Sequence, residues 1–154
     1  MSFRFIGLAP EPFAPLWSLD EAALAQRDIR RVIADSDRGF PCRISLQNAK
    51  AGETLLLLPY QHHDVAGPYR ASGPIFVREN VAQAMHEDEV PPSFRQRLLS
   101  LRGYDADGWM QMSEVVEGTE LEPAIADFFA RDDIAFLHVH NARPGCYACR
   151  VERA

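Results

Sequence analysis

Hydrophobic and polar positions alternate along much of this chain, and the alternation predicts strands for most of its elements. Phe3 and Phe5, separated by Arg4, start a short first strand that must end before Pro10, Pro12 and Pro15. Cys42-Arg43-Ile44-Ser45-Leu46 alternates like a half-buried strand, and with the β-branched run from Arg31 to Ala34 and the turn residues Asp35 to Gly39 it suggests a hairpin. The stretch from Thr54 to Tyr60 is too apolar for a sheet edge and belongs at the centre of a sheet, covered on both faces. A long, irregular segment from Gln61 to Pro74 reads as a loop before a strand over Pro74 to Arg78. Leu98 to Tyr104 and Trp109 to Val116 form a second hairpin around Asp105-Ala106-Asp107-Gly108, and Ile134 to His140 pairs with Cys146 to Val151 around Arg143-Pro144-Gly145.

Two segments carry helical signals instead. Ser18 and Glu21 have capping-box spacing ahead of Leu19, Ala22, Ala23 and Gln26. Leu121, Ile125, Phe128 and Phe129 recur at i, i+4, i+7 and i+8, which places them on one face of a helix that begins near Glu122 because Pro123 must lie in its first turn. Val81 to His86 offers at most a helical turn or two. Strands joined by short connections, with two principal helices that do not alternate regularly with them, predict an α+β fold with a largely antiparallel sheet. Parallel α/β is the alternative. The 154 residues suit one compact domain over 1–154, without repeat or linker.

Composition narrows the function classes. No apolar run approaches the roughly 20 residues of a membrane span, and the N-terminus lacks a secretory pattern, so a cytoplasmic location is expected. A net charge of −6 argues against a nucleic-acid surface, which requires clustered cations. Of the 16 basic residues, Lys50 alone is lysine. A GC-rich genome produces that bias, but arginine also gives planar, bidentate contacts to carboxylate or phosphate.

Reactive side chains concentrate between Leu137 and Arg150, which holds His138, His140, Cys146 and Cys149. In a strand His138 and His140 share a face, and a four-residue turn over Arg143 to Cys146 would place His140 opposite Cys149. That face suits a divalent metal such as zinc, with His138, His140 and Cys149 as ligands, although a slip of one residue turns Cys149 away. The same histidines, with His62 at the end of the apolar strand, also suit acid–base roles or structural ones. Cys42 is a candidate nucleophile if a histidine lies beside it, and an inert buried thiol otherwise. Arg70 and Ser72, in the Gly67 to Pro74 segment, offer a guanidinium, a hydroxyl and backbone donors to an oxyanion, on which Arg43, Arg143 and Asn141 are expected to converge.

The blocks Gly39-Phe-Pro-Cys-Arg-Ile-Ser-Leu46, Leu57-Leu-Pro-Tyr60, Pro68 to Glu79, Leu101 to Gly108 and Leu137 to Cys146 together resemble a bacterial family called domain of unknown function 1203. The resemblance implies a compact bacterial domain and brings no activity, cofactor or catalytic residue with it. Two function classes follow from the residues themselves. One is a site for a small anionic ligand, with or without catalysis, built from His, Arg and Cys. The other is a non-catalytic interaction or regulatory module with an exposed apolar patch near Trp17 or Trp109. Nothing in the chain signals an oligomeric state.

Overall fold

The computed structural model describes all 154 residues and contains nine strands and two α-helices in an α+β fold. The strands are β1 (Phe3–Ile6), β2 (Arg30–Ile33), β3 (Thr54–His63), β4 (Ala71–Arg78), β5 (Met85–Glu87), β6 (Leu98–Tyr104), β7 (Met110–Glu117), β8 (Phe136–Asn141) and β9 (Tyr147–Arg153). The helices are α1 (Glu21–Ala25) and α2 (Leu121–Phe129). Six strands form one sheet in the order β5-β1-β9-β8-β6-β7 and three form another in the order β2-β3-β4, with every strand pair antiparallel. No helix is long and apolar enough to cross a membrane.

The larger sheet has two chemically different faces because its strands alternate. Leu99, Leu101, Leu137, Val139, Cys149 and Val151 point to one side, where Leu121, Ile125, Phe128 and Phe129 of α2 cover them. The predicted stripe is thus the buried stripe of the helix, and Pro123 sits in the first turn, where no N–H is needed. The opposite side carries Arg102, His138, His140 and Tyr147, and the end of β3 packs against it. Strand β3 is central, as its apolar run requires. Leu56 and Leu58 enter a second core with Phe13, Leu24, Ile29, Cys42 and Ile44, while Leu57 and Phe76 pair on the outer face.

Several local expectations are corrected by the structure. The run Arg31 to Ala34 pairs with β3, not with Cys42 to Leu46. The latter segment turns back on itself: the Leu46 amide donates to the Cys42 carbonyl, and Leu46 takes a left-handed φ of 57°. It is held in place by close approach of backbones at Gly7, where a Cβ would lie 2.1 Å from the Ile44 carbonyl oxygen. Half of the expected long loop is strand, since β3 runs to His63 and β4 begins at Ala71. Val81 to His86 is not helical and leads into β5.

Helix α1 starts two residues later than its capping-box spacing suggests. Asp20 is the N-cap and accepts from the Ala23 amide at 2.8 Å, whereas the Ser18 hydroxyl donates to the Pro15 carbonyl and closes a preceding 3-10 turn. Asp20→Ala is therefore expected to cost about 1 kcal/mol in urea unfolding. Ser18→Ala should cost distinctly less, and the reverse order would return the cap to Ser18.

Candidate functional site

The turn between β8 and β9 stands against the reversed segment around Arg43, and the space between them is a cleft of about 620 Å³. Arg38, Arg43, Arg97 and Arg143 line it with Asn48, Asn141 and Cys146, and its apolar wall includes Leu57, Pro74 and Phe76. No aspartate or glutamate lines it. The salt bridges of the protein use Arg31, Arg70, Arg78, Arg95, Arg131 and Arg150, so none of the four cleft arginines has a carboxylate partner.

Arg43 is the buried member, 3% exposed. Its guanidinium donates to the Tyr147 carbonyl at 2.8 Å, to the Pro41 carbonyl at 2.6 Å and to Cys146 Sγ at 3.2 Å. Burial pushes its pKa below the ordinary value, an effect partly offset by Cys146 beside it. Arg97 reaches Asn141 Oδ1 at 3.4 Å and Asn48 Oδ1 at 3.2 Å, and its pKa is lowered by burial and by the charge of Arg43. Asn141 Nδ2 donates to the same Cys146 sulfur at 3.4 Å. Two cations in repulsive range, a half-buried thiol between donors and two outer arginines make a cavity of positive potential.

Behind the cleft, four of the five histidines gather where β3 meets the larger sheet. The His62 ring lies 5.0 Å from His140, 6.1 Å from His138 and stacks on Tyr147 at 5.3 Å, while His63 lies 5.2 Å from His138 and 4.1 Å from Tyr104. His140 Nδ1 is 2.9 Å from the Gly145 carbonyl and so carries the proton, which leaves Nε2 as the lone-pair nitrogen. That atom, His62 Nδ1 and His138 Nδ1 are buried without a hydrogen-bond partner. Burial lowers the pKa of His62 to about 4, of His138 to about 2 and of His140 to about 4, helped by neighbouring histidines and by Arg102 or Arg150. His62, His138 and His140 are therefore neutral at pH 7.

The expected ligand set of His138, His140 and Cys149 is not assembled. A turn wider than expected puts Tyr147 opposite His140, and a bulge then pairs Val139 with Cys149, which turns Cys149 into the apolar core. No group of three His, Cys, Asp or Glu side chains converges in an arrangement suited to a metal ion. Nor do the other candidates form one site. Arg43, Arg143 and Asn141 line the cleft, but His62, His138 and His140 do not. Arg70 is exposed beside Asp64 at 3.4 Å, away from the cleft, because the β3–β4 hairpin carries it outward. Ser72 lines a separate hollow.

Cys42 is buried in the second core; burial pushes its pKa up, but hydrogen bonds with Ser45 and the Arg78 amide prevail and hold it below its ordinary value. Of the two tryptophans expected to mark an apolar patch, Trp17 is half-buried, and exposed Trp109 packs T-shaped against Tyr69. Sequence reasoning missed Arg38, Asn48 and Arg97 and did not place Cys146 with the arginines. The available signal for Arg97 was the Arg95-Gln96-Arg97 run just before β6, and Cys146 is the cysteine next to the turn.

Fold and cleft together define an antiparallel α+β protein with a preformed, arginine-lined pocket and a buried histidine cluster behind it. The family model described as protein of unknown function (DUF1203) matches residues 39–153, and the chain belongs to that family. The matched region includes every cleft arginine except Arg38. No curated protein and no solved structure matches the chain.

Proposed function

We propose that the protein binds a small anionic ligand, a carboxylate or a phosphate, in the arginine-lined cleft. The charge distribution carries this reading. The chain has 22 acidic and 16 basic residues, yet four arginines meet in one cavity with no carboxylate among its lining residues. Acidic side chains are abundant enough to pair these arginines, and their absence leaves a focused positive potential in a concave site. Guanidinium groups from separate elements can grip an oxyanion from several directions, and Asn48 and Asn141 add neutral donors. The concave placement suits a small molecule better than a nucleic-acid backbone. Three free cysteines fit the reducing cytoplasm, the setting we assign to this bacterial family member.

Cys146 allows a test that needs no knowledge of the natural ligand. It is half-buried in the cleft, whereas Cys42 and Cys149 are 1% exposed. Native protein should be alkylated at Cys146 by anionic iodoacetate with a rate, relative to neutral iodoacetamide, about tenfold above the ratio for the same residue in denatured protein. Arg143→Ala and 0.5 M salt should each shrink that preference, as screening predicts. Equal ratios in native and denatured protein would end the anion reading.

A further inference from the structure

The cleft does not stop at its arginines. Leu57 and Pro74 belong both to its wall and to a neighbouring hollow of about 430 Å³, which Asp28, Arg30, Pro59 and Ser72 complete. Strand register explains the continuity. Leu57 pairs with Phe76, Pro59 with Pro74 and Arg30 with Leu57, so these side chains share the outer face of the β2-β3-β4 sheet, while Leu56, Leu58, Ile75 and Val77 fill the core on the other. Phe40 and Ala49 cover the part of the outer face around Leu55 and Phe76, and beyond them Leu57 and the two prolines remain open to the groove. The result is a strip that begins at the arginines, runs over Phe76, Leu57 and Pro74, and reaches Ser72.

We propose that the two hollows are one groove for an extended acid: an oxyanion head held by Arg97 and Arg143 on an apolar body that lies along Leu57 and Pro74. The inference rests on the anion reading of the cleft and names the class of ligand. A compact ion such as inorganic phosphate would use the arginines and leave the strip wet. A molecule with a hydrocarbon body uses both, because its charge meets the unpaired guanidinium groups and its body removes apolar surface from water. The side chains of Leu57, Pro59 and Pro74 carry no donor or acceptor, so this part of the strip has nothing to bond to a polar body. Carboxylates and phosphate monoesters share the head chemistry.

Straight-chain carboxylates from acetate to decanoate, and alkyl phosphates of matching length, separate the possibilities. Each is titrated for protection of Cys146 against iodoacetamide and, independently of the thiol, for its effect on melting temperature. The half-protecting concentration is expected to fall about two- to fourfold per methylene, the range between one-sided and full burial of a CH₂ group. The fall should level off once the chain passes the second hollow. Leu57→Asn, near the head, and Ser72→Asp, at the far exposed end, should each reduce the slope. A slope in either series, or both, supports the groove and identifies the head group the arginines prefer. If neither series has a slope while iodoacetate still labels Cys146 preferentially, the extended-acid inference fails and the anion reading stands. Slopes untouched by both substitutions would overturn the placement along Leu57 and Pro74.

Discussion

Lowering the pH from 7 to 5 is expected to remove about 4 kcal/mol of folding stability, on the order of 2 kcal/mol from each of His138 and His140. Both are nearly inaccessible, at 2% and 1% exposure, and burial lowers their pKa to about 2 and about 4. In the unfolded chain each would titrate near 6.5. Between the two values the unfolded state binds more protons than the native state, so stability rises with pH. Their contribution is complete above about 6.5 and declines as the pH falls towards the folded values. His63, His62, Arg150 and Arg102 reinforce the effect because a proton gained by either histidine would meet further positive charge.

Against a total of roughly 5–15 kcal/mol for a typical domain, this loss leaves roughly 1–11 kcal/mol at pH 5, so the protein stays folded there but opens at a much lower urea concentration. Carboxylates stabilised in the folded state, such as Glu53 and Glu122, lose their contribution only at lower pH, since their pKa lies below the ordinary carboxylate value. Urea midpoints at half-unit steps from pH 7.5 to 4.5 measure the slope, and His138→Gln should flatten it. A midpoint constant down to pH 5 would mean that water or another partner reaches the histidines and stabilises their charged form.

How much of this was legible beforehand depended on how local each cause was. The spacing of Leu121, Ile125, Phe128 and Phe129 defined the buried face of α2, and the apolar run from Thr54 defined a central strand, because burial repeats with the local period. The register of the β8–β9 hairpin was not legible. A turn closed by Asn141 and Cys146, wider than expected, puts Tyr147 instead of Cys149 opposite His140, and one bulged residue before the Val139–Cys149 pair then turns Cys149 to the other face; the sequence carries no local mark for either. The cleft was half legible. Arg43, Arg143 and Asn141 stood out for their chemistry, but Arg43 meets Cys146 across 103 positions, through the packing of one sheet on the other. Arg70 looked equivalent in sequence; it lies elsewhere because the hairpin around it continues as paired strand instead of folding back over the site.

Replacement of Arg43, buried in the wall of the cleft, is the second large effect expected. Arg43→Met should destabilise the protein by about 2 kcal/mol. Methionine preserves much of the volume, but it supplies none of the donors that now satisfy the Pro41 and Tyr147 carbonyls and Cys146 Sγ. Each buried carbonyl deprived of its donor costs about 1–3 kcal/mol, and relief from burying a cation returns part of that. Arg43→Lys should restore little. A single ammonium cannot span acceptors that a planar guanidinium reaches from three nitrogens, and its stronger hydration makes burial dearer. Urea unfolding of the three proteins at pH 7.5, where His138 and His140 are neutral in the folded state, isolates the effect from the acid transition. A lysine variant as stable as the wild type would show that charge suffices there, while a fully stable methionine variant would leave Arg43 no structural role.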